Sequence, residues 1–161
     1  MKTVAPDQLD QLLLDAAASP RLRTNYNLHP TLDDPIQRLF NAIQPTSYVR
    51  PHRHSDPPRW ELFHAIRGCA TVLTFDATGT VLEQCVLAPG GPVTTVEVES
   101  GIWHTLLAVE PDTLLLELKP GPYVALADKD FAPWAPAEGA AGSEELVRWL
   151  ATARPGDRPP R

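Results

Sequence analysis

Three histidines and one glutamate form the pattern in this sequence that most clearly indicates chemistry. His52 and His54 lie two positions apart, with Arg53 between them, at the end of a β-rich segment, residues 47–54. Residues two apart on a strand point to the same face, so both imidazoles can point into one interior. Glu61 opens the next β-rich segment, and His104 lies near the start of a later one. Imidazoles together with a carboxylate are ligands for one divalent transition metal, such as Fe, Mn, Ni or Zn.

Short β-rich segments must bring these four residues together. Seven of them are separated by turns rich in Pro, Gly and Asp: 47–54, 60–67, 69–75, 80–87, 93–98, 103–109 and 113–119. Strands at this spacing predict an antiparallel sandwich or barrel. Four protein ligands would leave two positions of a six-coordinate metal for substrate, water or oxygen.

Three short helices are predicted around these strands. Residues 7–19 carry apolar side chains on one face. Residues 36–43 repeat apolar side chains at intervals of three and four after an Asp-Pro pair, which predicts a second helix. Ser143 is predicted to cap the last helix. Residues 23–32 are predicted to be an irregular polar loop.

Composition narrows the class of protein. The 161 residues fit one domain, and the 18 prolines exclude a long helical bundle. A formal net charge of −6 argues against a nucleic-acid partner. The sequence has no apolar run typical of a secretion signal or membrane span, so we expect a cytoplasmic protein with no membrane association. Cys69 and Cys85 are expected to be buried thiols, and exposed sheet edges are compatible with a homodimer.

Two stretches of the sequence resemble the motifs of the cupin superfamily. His52 to Gly68 follows the pattern HxH-x6-E-x6-G of the first motif, and residues 101–104, GIWH, resemble the second. The longer pattern is similar to the WbuC-type cupin fold metalloproteins over RTNYNLH (23–29), DPIQR (34–38), YVRPHRH (48–54), WHT (103–105), GPY (121–123), DKDFA (128–132) and WAPAEG (134–139). The resemblance implies a jelly-roll barrel whose metal ligands are His52, His54, Glu61 and His104. It also implies a link to bacterial polysaccharide gene clusters.

The sequence departs from the general cupin pattern at several positions. Thr46 stands where the first motif usually begins with Gly, and the turn before Glu61 is longer than usual. In the second motif, Glu99 and Ala108 replace the customary Pro and Asn. The longer turn makes Glu61 the ligand whose position is least fixed, and the neighbouring Asp56 is the alternative.

Four further residues are candidates for substrate binding or catalysis. Arg50 shares the face of His52 by strand alternation, which predicts either an anion clamp with a catalytic role or an ion pair with Glu117 or another inward acid. Tyr123 could place a catalytic phenol at the barrel mouth, or it could serve only in packing. Asn27 and Arg23, in the stretch before the barrel, are substrate-binding candidates through the resemblance; turn formation is the alternative role for Asn27.

These observations predict a mainly β protein, with a cupin-type antiparallel β-barrel and flanking helices. The expected organisation is an N-terminal extension (1–45), the barrel (46–125), a C-terminal loop and helix (126–153) and a disordered tail (154–161). The expected function is metal-assisted isomerase, lyase or oxygenase chemistry on a small anionic, sugar-derived metabolite. The alternative is a ligand-binding or regulatory module without catalysis, because a fold does not fix a function.

Overall fold

Eight strands and two helices make up the part of the chain that the computed structural model describes, residues 1–160 without the side chain of Asp128. The final residue of the tail, Arg161, lies outside that part. The elements are α1 (Pro6–Ala18), β1 (Arg23–Asn27), β2 (Ile36–Ile43), β3 (Glu61–Arg67), β4 (Ala70–Phe75), β5 (Val81–Leu87), β6 (Thr95–Val98), β7 (Trp103–Ala108), β8 (Thr113–Pro120), a 3₁₀ turn (Asp128–Asp130) and α2 (Ser143–Leu150).

Two antiparallel sheets face each other. The larger has the order β1-β2-β8-β3-β6 and the smaller has the order β5-β4-β7. Alternate residues of both sheets point inward and form an apolar core that includes Phe63, Val72, Leu106 and Leu115. This arrangement confirms the predicted antiparallel β-barrel with flanking helices.

Each sheet is also covered on its outer face. The first helix, predicted at 7–19, packs Leu12, Leu13 and Ala16 against β2 and β8. The C-terminal segment and α2 cover the three-stranded sheet, where Leu150 joins the apolar cluster that contains Trp103. No helix among residues 1–160 is both long and apolar enough to span a bilayer.

The second predicted helix is wrong, because residues 36–43 form strand β2. Every residue of β2 pairs with β8, and its last five residues also pair with β1 on the other edge. The apolar residues that suggested a helix instead divide between two layers. Phe40 packs beneath α1, while Ile43 lies in the core between the sheets. Pairing on both edges outweighs the local helical pattern.

The N-terminal region is therefore part of the sheet and not an extension packed on it. Residues 23–27, predicted to be irregular, form β1, so a barrel boundary at residue 46 is wrong. The segment 47–54 is also corrected: it is extended but makes only isolated bridges, through His52 to His104 and to Phe131. The other six predicted strands are present.

Three smaller expectations are corrected at the C-terminal end and at the cysteines. The residue that precedes α2 at its N-cap is Gly142, in a left-handed conformation, and not Ser143. Residues 154–160, predicted to be disordered, lie along β5, where the amides of Val81 and Gly156 bond to the carbonyls of Asp157 and Val81. Both cysteines are free and half-buried rather than buried.

We predict that Gly68→Ala destabilises the fold by about 3 kcal/mol. Gly68 has a φ of +68°, and an added Cβ would lie 2.6 Å from Thr113 Oγ1 and 2.9 Å from Thr113 Cα. The control is Gly90→Ala, which has a φ of +71° and no atom within 4 Å of the new Cβ. It should lose about 1 kcal/mol in urea unfolding. Equal losses would show that the contact with Thr113 is unimportant.

We also predict a pH-dependent contribution from Asp76 in the β4–β5 hairpin. Its Oδ1 accepts hydrogen bonds from the hydroxyl and amide of Thr78 and the amide of Thr80, at 2.7, 2.7 and 2.9 Å. These bonds, foremost that of the Thr78 hydroxyl, lower the pKa of Asp76 to about 2. The carboxylate therefore stabilises the fold above its ordinary pKa, and this contribution disappears as the pH falls toward 2.

Asp76→Ala should be less stable than the wild type at pH 7, and the difference should shrink below about pH 4. Urea unfolding at a series of pH values measures this. Asp33→Ala, which removes an exposed acid outside the hairpin, is the control. A stability difference that does not change with pH would contradict the assignment.

Candidate metal centre

His52, His54, Glu61 and His104 converge inside the barrel. Each offers one ligand atom, and these atoms all lie within 4.8 Å of one another. Glu61 begins β3 and His104 is the second residue of β7, while the other two histidines come from the extended segment. The amides and carbonyls of His52 and His104 bond to each other at 3.0 and 2.8 Å, which fixes the segment beside β7.

The backbone orients two of the imidazoles. Nδ1 of His52 lies 3.0 Å from the carbonyl oxygen of Arg50, and Nδ1 of His104 lies 2.9 Å from that of Ile102. A carbonyl oxygen can only accept, so each Nδ1 carries a proton and donates it. Nε2 of both rings therefore faces the cluster. Metal-ligating histidines are commonly held by such a hydrogen bond from the other ring nitrogen.

Glu61 is a buried carboxylate surrounded by donors. Its Oε2 lies 2.9 Å from His104 Nε2, and its Oε1 lies 2.8 Å from the Lys119 ammonium. Burial raises the pKa of Glu61, but the charge of Lys119 and the hydrogen bond from His104 outweigh it and hold the pKa well below its ordinary value. Glu61 is therefore ionised inside the barrel.

The protonation of the histidines differs across the cluster. Burial, helped by the charge of His104, lowers the pKa of His52 to about 3, so this ring is neutral near pH 7. Burial also opposes the charged form of His104, but the hydrogen bond to Glu61 outweighs it and raises the pKa.

The four residues suit a transition metal. Nε2 of His54 is buried and makes no hydrogen bond, although it lies 2.9 Å from Glu61 Oε1. His104 has an acceptor at each ring nitrogen, so a proton must lie between Nε2 and Glu61 unless a cation takes its place. Three imidazoles and one carboxylate match the preferences of Fe, Mn, Ni and Zn without selecting among them.

Lys119 and Glu117 belong to the same polar cluster, and sequence reasoning missed Lys119. The Lys119 ammonium lies 2.6 Å from Glu117 Oε1, and Asn41 donates to the other oxygen of Glu117. Burial, together with the charge of Glu61, raises the pKa of Glu117 despite Lys119. The sequence did carry a signal for this pair. Glu117 and Lys119 lie two positions apart in the largely apolar strand TLLLELKP, so both point to the same face.

Two cavities adjoin the cluster. One, of about 200 Å³, is lined by Gln37, His52, His54, Arg59, Lys119, Pro120, Tyr123, Val124 and Leu126. The other, of about 730 Å³, runs over the polar inner face of β1 and β2. Gln37, Lys119 and Tyr123 line both cavities, so the two volumes meet beside the cluster.

Besides His52 and His54, three of the four candidates for substrate binding or catalysis line these cavities. Tyr123, with half of its surface exposed, stands where the two cavities meet. Asn27 and Arg23 line the larger one, farther from the histidines. Arg23 is also paired with Glu138, at 2.9 Å.

Arg50 is not brought to the cluster, and its expected inward orientation is wrong. Its guanidinium stacks on Phe131, 4.7 Å from the ring centroid, and its Nε donates to the carbonyl of Ala135. The expectation used strand alternation, and this segment is not a regular strand. Arg50 makes no ion pair with Glu117 and lines neither cavity. Asp56, the alternative to Glu61, is exposed and paired with Lys129.

We predict that Lys119→Met destabilises the metal-free protein by about 3 kcal/mol, because it leaves two buried carboxylates without their shared cation. Adding Glu117→Gln should recover part of the loss. Lys129→Met is the matched control, since its pair with Asp56 is exposed and should contribute less than about 1 kcal/mol. Urea unfolding in the presence of a chelator measures all three. Equal effects of the two lysine substitutions would contradict the prediction.

Comparisons with known proteins agree with the fold. Solved structures that share it include TT1209 from Thermus thermophilus, with a TM-score of 0.55 and 16% identity over 74% of this chain and 97% of that one. The DMSP lyase DddQ from Ruegeria pomeroyi DSS-3 has a TM-score of 0.50 and 19% identity over 65% of this chain and 49% of that one. A cupin superfamily protein from Desulfitobacterium hafniense DCB-2 has a TM-score of 0.47 and 13% identity, over 61% and 76%.

The structures with TM-scores of 0.55 and 0.50 support the mainly β fold of two antiparallel sheets with flanking helices that the sequence predicted, and identities this low show the fold alone. None of the curated proteins matches the sequence. Residues 4–87 match the family model described as a domain of unknown function, DUF6016. Because that match covers just over half of the 161 residues, the chain belongs to the DUF6016 family.

Proposed function

We propose that this protein is a metal-dependent enzyme that acts on a small anionic metabolite. The observation that carries the proposal is the convergence of His52, His54, Glu61 and His104 beside a cavity of about 200 Å³. A purely structural cluster would have no need of an adjoining cavity. Catalytic metal sites keep room for a substrate next to their protein ligands.

In this proposal the four residues hold one divalent metal, Fe, Mn, Ni or Zn. When bound, such a metal supplies Lewis-acid polarisation of a substrate oxygen. The protein keeps the histidine rings in place through the Nδ1 hydrogen bonds of His52 and His104. Lys119 holds the Glu61 carboxylate from the other side, at 2.8 Å.

Tyr123 is the residue we propose to move a proton during the reaction. Its position between the two cavities would let the phenol reach a substrate that extends out of the smaller cavity. Asn27 and Arg23 would contact the part of the substrate that occupies the larger cavity. The reaction class that fits this arrangement is isomerisation, elimination by a lyase, or oxygenation.

Several finer assignments accompany the proposal. The resemblance to the WbuC-type cupins supports a bacterial protein with a sugar-derived substrate linked to polysaccharide synthesis. A cytoplasmic location and a homodimer also stay predictions. These assignments concern the setting of the reaction, and the metal centre does not depend on them.

We predict that Zn²⁺ or Mn²⁺ raises the unfolding temperature of the chelator-treated wild type, because the ion binds the folded state alone. The gain is about 2.7 kcal/mol at a free concentration roughly one hundred times the dissociation constant. His104→Ala should abolish the shift. His64→Ala is the matched control, since that ring lies outside the cluster and bonds to Thr95. Elemental analysis of each variant reports the bound metal.

The same variants test the reaction. Wild type and His64→Ala should convert a member of a panel of short hydroxy acids and sugar acids, followed by NMR, and His104→Ala or chelation should stop the conversion. Metal binding with ligand binding but no conversion under any metal would instead indicate the non-catalytic binding module. Full conversion by metal-free protein would contradict the metal-dependent mechanism.

A further inference from the structure

Arg59 is a buried guanidinium without an ionic partner. The residue is 7% exposed, and its Nη2 atom is fully buried and makes no hydrogen bond. Among the side chains that the structure describes, no carboxylate forms an ion pair with Arg59. A buried charge of this kind is unfavourable unless something compensates for it. Arg59 is therefore a group to which the described side chains supply no counter-charge, and a ligand could supply one.

The other inward or half-buried cations have compensation within the protein. Lys119 lies between Glu61 and Glu117, and Arg23 pairs with Glu138. Two further arginines stack on aromatic rings, Arg50 on Phe131 and Arg53 on Trp103, the latter at 4.3 Å from the centroid. Among residues 1–160 as described, Arg59 has neither an ion pair nor an aromatic ring stacked on its guanidinium.

The position of Arg59 indicates where its partner binds. It lines the cavity of about 200 Å³ together with His52 and His54, so guanidinium and metal centre face the same volume. Lys119 is already held by two carboxylates, at 2.8 and 2.6 Å, whereas Arg59 forms an ion pair with neither of them and faces the cavity with its guanidinium available to a ligand. The backbone holds the residue there, since the Arg59 amide bonds to the carbonyl of His54 at 3.3 Å.

We propose that Arg59 binds the carboxylate of a small organic acid in this cavity, with the rest of the acid directed toward the metal centre. This proposal rests on the proposed function for the metal. A guanidinium presents a planar fork that fits a carboxylate at two points. Pro120, Val124 and Leu126 give the cavity apolar walls suited to a short carbon chain.

The size of the cavity limits the acid. At about 30 Å³ for each water in the liquid, 200 Å³ corresponds to roughly seven water molecules. Sites for drug-sized ligands begin at about 300 Å³. The acid is therefore one with a few carbon atoms, or the acidic end of a longer molecule whose remainder passes Tyr123 into the larger cavity.

The test compares lactate with lactamide, which has the same shape but no negative charge. Calorimetric titration of the Zn²⁺-loaded wild type should give a lactate dissociation constant below about 10 mM, and lactamide should bind more weakly. Arg59→Met should weaken lactate about 10- to 100-fold and leave lactamide unchanged. Arg59→Lys keeps the positive charge but not the planar fork of donors. Its affinity for lactate should lie between those of the wild type and Arg59→Met. Arg67→Met, at an exposed pair with Asp10, is the control.

The unfolding temperature gives a second readout. If Arg59 served only to stabilise the fold, its replacement would lower this temperature. Because no described side chain compensates the charge of Arg59, Arg59→Met should unfold at the same temperature as the wild type or a higher one. A marked loss of stability with lactate affinity unchanged would overturn the proposal. So would binding of inorganic phosphate, but not of lactate, by the wild type. Should Arg59→Met fail to fold, Arg59→Lys decides the outcome.

Titration with and without metal separates this proposal from the metal-dependent function. Lactate that still binds the chelated wild type, and is lost in Arg59→Met, would support the Arg59 site even if no metal binds. Metal binding with a lactate affinity that Arg59→Met does not change would overturn the Arg59 site and leave the metal centre standing.

Discussion

The ionised Glu61 carboxylate, buried inside the barrel, is the constraint on which the polar interior depends. A charge removed from water must be matched by charges and hydrogen-bond donors nearby. Here Lys119 approaches one oxygen and His104 the other. Three strands, β3, β7 and β8, must therefore keep their register, because each carries one member of the cluster. The apolar core beneath this cluster supplies the rigidity that keeps the register.

The unequal width of the two sheets provides the space beside that cluster. The five-stranded sheet has two more strands than the three-stranded sheet, and β1 and β2 form one end of it. The outer face of these two strands is covered by α1, while their inner face carries Asn27, Arg23 and Asn41 along the larger cavity. An apolar inner face would require a further layer to cover it. Its polar character lets the sheet extend past the core and remain solvated.

Local patterns in the sequence predicted the convergence of His52, His54, Glu61 and His104 because a few consecutive residues and turns fix their positions. Each of three patterns needs only its own short segment: HxH before a turn, Glu61 at a strand start, and GIWH, which begins with the positive-φ Gly101. By contrast, packing between distant segments determines the side-chain positions of Arg50, Lys119 and Arg59. Arg50 was misplaced because its segment bridges to β7 without forming a regular strand. The mistaken helix at 36–43 has the same origin, since only pairing with β1 and β8 decides it.

The net charge of −6 is compatible with an anion site, because exposed and buried charges act over different ranges. At physiological ionic strength, exposed charges are screened over about 8 Å, whereas buried ones are screened much less. Acids outside the barrel, such as Glu97 and Glu110, are exposed and have little effect on a ligand inside it. At the cavity, Lys119 is engaged by Glu61 and Glu117, so Arg59 and the proposed metal are the positive groups that can face a ligand. An acidic protein can therefore present a cationic side chain to a small acid in its interior.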